Sequence, residues 1–108
     1  MSLRHYLVSG RVQGVGFRRF VENQAREYGV RGVVRNLEDG RVEFIAAGEL
    51  GAVKKLEEAV RRGPMLSHVR EIQSRTITAE ALPEPLKSGI QEGTMWVAED
   101  GESPWAIS

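Results

Sequence analysis

The strongest constraint on what this chain can fold into is the order in which its apolar period changes. From Arg4 to Val12 the side chains alternate, with Tyr6, Val8, Gly10 and Val12 on one face and His5, Leu7, Ser9 and Arg11 on the other. That is the period of a strand. The turn Gln13-Gly14-Val15-Gly16 follows, and beyond it Phe17, Phe20, Val21, Ala25 and Tyr28 recur at helical spacing. Residues 17–28 are therefore expected as an amphipathic helix, with Gly29 as its stop. Residues 30–37 resume strand character, and Glu38-Asp39-Gly40 supplies the chemistry of a tight hairpin turn. Val42, Phe44 and Ala46 then alternate along a strand expected to pair antiparallel with the one before it. Leu50, Val53, Leu56 and Val60 mark a second helix ending at Gly63-Pro64, and Val69–Ile77 has the pattern of a fourth strand.

The resulting order, strand, helix, strand, strand, helix, strand, is that of a ferredoxin-like βαββαβ sandwich. It is an α+β fold with two helices on one face of an antiparallel sheet. Residues 79–93 carry Pro83, Pro85 and Gly89 and are expected to be irregular. Thr94–Val97 has the pattern of a short edge strand, which places the domain at residues 1–97 and an acidic, flexible C-terminal tail at 98–108. A length of 108 residues, with 41% hydrophobic and 28% charged side chains, suits one globular domain. No apolar run approaches the ~18 residues of a membrane-spanning helix, and the first residues carry no apolar signal-peptide core. A cytoplasmic protein is expected.

Cysteine is absent, which excludes disulfide frameworks, thiolate metal sites and cysteine nucleophiles. The two histidines, His5 and His68, lack ligand-like spacing and read as surface or strand-packing residues. Net charge is zero but unevenly placed. Residues 4–35 hold seven arginines against Glu22 and Glu27, whereas residues 80–102 hold six acidic residues against Lys87 alone. Arginine, present 12 times against 3 lysines, is the side chain suited to bidentate recognition of phosphate or carboxylate.

The basic third contains Gly10-Arg11-Val12-Gln13-Gly14-Val15-Gly16-Phe17-Arg18-Arg19, a strand that runs through a glycine turn into a helix start. Glycines let consecutive amide N–H groups point into one concavity, and a helix start adds unpaired donors and the positive end of the macrodipole. An arginine in the first helical turn completes a site for a dianionic oxyanion. Gly16-Phe17-Arg18 lacks the Gly-Lys-Ser/Thr ending of a Walker loop, and neither spacing nor topology fits the dinucleotide fingerprint. The same glycines also suit a plain strand-to-helix turn. Arg19 adjoins Arg18, and Asn36, just before a hairpin turn, suits satisfaction of turn backbone groups.

Val8-Ser9-Gly10-Arg11-Val12-Gln13-Gly14-Val15-Gly16-Phe17-Arg18 closely resembles the first signature of the acylphosphatases, and Gly32-Val33-Val34-Arg35-Asn36-Leu37-Glu38-Asp39-Gly40 resembles the second. Gly63-Pro64 followed by Val69 looks like that family's entry into its fourth strand, so the resemblance spans roughly residues 4–77. It implies hydrolysis of acyl phosphates to carboxylate and inorganic phosphate, with no metal and no cofactor. The phosphate-binding loop falls on Gln13, Gly14, Val15, Gly16, Phe17 and Arg18. Arg18 takes the catalytic arginine's place, and Asn36 that of the asparagine that orients water. Val33 stands where many relatives carry an aromatic residue, and residues 78–108 match the family poorly.

The expected partner is a small-molecule acyl phosphate, with no nucleic acid or membrane, and the expected state is a monomer. The alternative is a non-catalytic ferredoxin-like anion-binding or regulatory module. An RNA-binding domain of the same topology would need exposed aromatics on its central strands, and the sequence offers only Tyr6 and Phe44 there.

Overall fold

A computed structural model describes residues 1–84 and 86–107. Pro85, in the segment expected to be irregular, and Ser108, in the expected tail, lie outside the described residues. The elements follow the expected order: β1 (Ser2–Arg11), α1 (Phe17–Tyr28), β2 (Arg31–Asn36), β3 (Val42–Gly48), α2 (Leu50–Arg62) and β4 (His68–Thr76). The sheet runs β4-β1-β3-β2 with antiparallel neighbours, which is the ferredoxin-like topology. β1 carries a bulge between Ser9 and Gly10, where it pairs with β4 just before the loop.

Helix α1 starts and stops at glycines in left-handed conformation, Gly16 and Gly29. Its Phe17, Val21 and Ala25 are buried, and α2 buries Val53, Leu56, Ala59 and Val60. All of these but Ala59 pack with Tyr6, Val8, Val34, Val42, Phe44 and Ala46 into the main core between the helices and one face of the sheet. Tyr6 and Phe44 stack there with ring centroids 4.4 Å apart.

The chain beyond β4 differs from the irregular stretch expected. Ala79–Ala81 form a 3-10 turn, and Leu86–Glu92 form a third helix, α3. A seven-residue helix containing Gly89 is too short for its period to show in sequence, and packing supplies what local preference lacks. Leu82, Leu86 and Ile90 sit against Val33, Ile45, Ala47 and Ile77, on the sheet face opposite α1 and α2. The edge strand exists as β5 (Trp96–Val97), parallel to β2 with Val33 opposite Trp96 and Val34 opposite Val97. Residues 98–101 continue along β2. Ala98 N–H donates to Val34 O, Gly101 N–H donates to Asn36 O, and Glu38 N–H donates to Gly101 O.

This segment explains why β3 is buried at all seven residues rather than alternately. Glu43 is fully buried. Its carboxylate pairs with His5 Nε2 at 2.7 Å and accepts from Arg35 Nε at 2.9 Å and from Trp105 N–H at 2.9 Å. Arg35 also donates to Ser103 O at 2.8 Å, and its guanidinium lies 4.1 Å from the Trp105 ring centroid. A buried carboxylate is costly unless paired and hydrogen-bonded, and here three groups from β1, β2 and the C-terminal segment meet it.

Candidate active site

The β1–α1 turn, the end of β2 and β5 enclose a cleft of about 590 Å³. Its lining includes Gly14, Gly16, Phe17, Arg18, Arg19, Glu22, Asn36 and Val97. Gly14 (φ 73°) and Gly16 (φ 78°) both adopt the left-handed conformation, which glycine enters without the strain a Cβ brings. No side chain caps Gly16. The first intrahelical bond runs from Phe20 N–H to Gly16 O at 3.0 Å, so the N–H groups of Phe17, Arg18 and Arg19 have no acceptor within the helix. Their end of the helix also carries the positive pole of the macrodipole.

An acidic residue in the first turn would suit that pole, and α1 has none there. Instead Arg18 and Arg19 add positive charge to it, an arrangement that favours an anion beside them. Arg18 is the more sheltered of the two, with its side chain 38% exposed. Its Nη1 donates to Asp100 Oδ1 at 2.9 Å. A carboxylate from the C-terminal segment thus already sits on the guanidinium.

Asn36 ends β2 opposite the turn. Its Oδ1 is buried and meets no donor among the described residues, a condition that typically costs ~1–3 kcal/mol. Asn36 also lines the cleft, beside the glycine turn. The position of Asn36 is held through its backbone, whose carbonyl accepts from Gly101 N–H at 3.0 Å.

The remaining loop residues divide by what their side chains do. The Gln13 side-chain amide donates to both Leu37 O and Arg41 O at 2.8 Å, tying the turn to the β2–β3 hairpin and so to Asn36. The hairpin is itself braced by Asp39, whose carboxyl Arg41 holds below its usual range through direct hydrogen bonds. Phe17 is buried and Val15 packs half-buried on the same core. Of the positions singled out from sequence, Gly14, Gly16, Phe17, Arg18 and Asn36 line the cleft, whereas Gln13 and Val15 do not. The structure adds Glu22, Val97 and Asp100, of which only the acidic bias of residues 80–102 and the expected edge strand gave any sign. Among the described residues no three or more His, Asp or Glu side chains gather as a metal-binding group, and no helix is long and apolar enough to cross a membrane.

Residues 4–83 match the acylphosphatase family model. The acylphosphatase of Nitrosococcus oceani is 51% identical over 71 residues, covering 66% of this chain and 80% of that protein. The crystal structure of acylphosphatase from Bacillus subtilis is 34% identical, with a TM-score of 0.71, and the match covers 96% of this chain and all of that one. Full-length HypF, solved in a phosphate- and nucleotide-bound form, contains a similar domain at 27% identity and TM-score 0.77. That match covers 98% of this chain and 13% of the HypF chain.

Proposed function

The chain belongs to the acylphosphatase family, and from that premise we propose how its cleft hydrolyses the carboxyl–phosphate bond of acyl phosphates. The phosphoryl group sits in the Gln13–Arg18 turn, on the free N–H groups at the start of α1, with the Arg18 guanidinium across its oxygens in place of Asp100. The Asn36 side-chain amide orients the attacking water. The water oxygen bonds to phosphorus as the bond from phosphorus to the acyl oxygen breaks. The carboxylate leaves with the electron pair, and the water's proton passes to phosphate or solvent.

Such a leaving group is a weak base and requires no strong general acid. The loose transition state spreads charge over the equatorial oxygens, where preorganised amides and a guanidinium stabilise it. The observation that carries this reading is the meeting of three features in one cleft: an uncapped helix start, Arg18 and Asn36. We read the protein as acting on a small-molecule acyl phosphate, as a monomer in the cytoplasm and without nucleic acid or membrane. Tyr6 and Phe44, the aromatics of the central strands, are buried against each other rather than offered for base stacking. A purely regulatory anion-binding module is disfavoured by relatives of about half identity that are themselves named acylphosphatases.

Hydrolysis of benzoyl phosphate or acetyl phosphate in the presence of EDTA tests the reading. Turnover undiminished by EDTA is expected. Turnover that disappears with EDTA and returns with magnesium would overturn the mechanism.

A further inference from the structure

The cleft is much larger than a phosphate, which fills roughly the space of two or three waters at ~30 Å³ each. With the phosphate on the turn and Arg18, the acyl group must lie in the remainder, beside Arg19, Glu22 and β5. We propose that Val97 is the wall on which the acyl group rests, and that it favours substrates with larger apolar acyl groups. This rests on the hydrolase reading above and deepens it.

Three observations single out Val97. It lies opposite Val34 in the parallel pair of β2 and β5, and Val34 belongs to the helix-side core, so Val97 shares the face on which the cleft opens. Trp96 also borders the cleft, but its strand position alternates to the other face and it packs, partly buried, against the second core. Finally, Val97 is 40% exposed, whereas the other aliphatic or aromatic side chains on the helix-side lining, Val12 and Phe17, are 1% and 2% exposed and already committed to the core. Glu22 pairs with Arg26 at 3.2 Å along the helix. An apolar acyl group covering Val97 would remove that side chain from water. The residue lies beyond the 4–83 span that matches the family model.

The experiment compares kcat/KM for benzoyl phosphate and acetyl phosphate, with inorganic phosphate inhibition measured alongside, in the unaltered protein, Val97→Ser and Val97→Thr. In Val97→Ser the value for benzoyl phosphate should fall roughly tenfold, the low end of what a small change in an apolar pocket does, mainly through KM. Acetyl phosphate should stay within about twofold on the same ground, and phosphate inhibition should not change. Val97→Thr keeps the β-branched shape of the edge strand and should show the same selective loss if serine disturbs folding. An equal loss for both substrates in the threonine variant, or an unchanged benzoyl-to-acetyl ratio in both variants, overturns the proposal. If the unaltered protein hydrolyses neither substrate, the functional reading itself falls, and this inference with it.

Discussion

At the scale of single residues, the site depends on two side chains whose roles separate experimentally. Arg18 stands at the positive end of α1 with Arg19 beside it and no acid in the first turn, a placement that favours an anion more than it favours the helix. Arg18→Ala should abolish turnover and weaken inhibition by inorganic phosphate. Arg18→Lys should restore little, because a point charge does not reproduce a planar two-pronged donor. Unchanged phosphate inhibition in Arg18→Ala would transfer the anion-binding role to Arg19. Asn36→Ala should lower kcat by about 10²–10³, the usual effect of removing one positioned polar group, while phosphate still competes. The backbone bond from Gly101 to Asn36 O survives that substitution, so the fold should hold. A lowered melting temperature with intact kcat would instead make Asn36 a turn residue. Both residues are legible in the sequence because the motif spacing carries them. The work of the Gln13 side chain is not legible, because its acceptors, Leu37 O and Arg41 O, are more than twenty residues away.

At the scale of elements, the segment from β5 to residue 101 brings a carboxylate to the guanidinium proposed to hold the phosphate. Asp100 and Arg18 form an exposed pair, with side chains 38% and 62% exposed for the arginine and aspartate respectively. Such pairs contribute at most about 1 kcal/mol. Substrate must displace Asp100, so Asp100→Asn should tighten inhibition by inorganic phosphate by up to about fivefold, the equivalent of that energy. The difference between variant and parent should shrink at high ionic strength, as screening weakens the pair. Weaker phosphate binding in Asp100→Asn would show that the aspartate holds Arg18 in position rather than competing for it. The sequence showed an acidic C-terminal region and a candidate edge strand. It did not show that the chain after that strand runs beside β2 as far as Asn36.

At the scale of the whole molecule, two cores enclose the sheet, and the second is built around Glu43. Its carboxylate joins β1 through His5, β2 through Arg35 and the C-terminal segment through the Trp105 amide. Glu43→Ala leaves Arg35 without its buried partner and Trp105 N–H without its acceptor. Such a change should lower stability by about 3–5 kcal/mol, and Glu43→Gln should lose less because its amide oxygen can still accept. Thermal and denaturant unfolding would measure this. A loss below about 1 kcal/mol, no more than an exposed ion pair contributes, would show that the network does not hold the second layer to the sheet.

The alternating and helical periods by themselves determined the βαββαβ order, the two amphipathic helices and the glycine turn between β1 and α1. Those features are local: they follow from which face a side chain takes one, two, three or four residues along. What covers the far face of the sheet was decided only in three dimensions. Glu43 occupies what an alternating strand shows as its solvent side, and it is buried because residues 78–107 return across that face. Helix α3 is too short to announce itself and depends on apolar partners in β2 and β3. The placement of Val97 and Asp100 at the cleft likewise depends on a parallel pairing between strands some sixty residues apart in sequence, and no local pattern encodes a register over that distance.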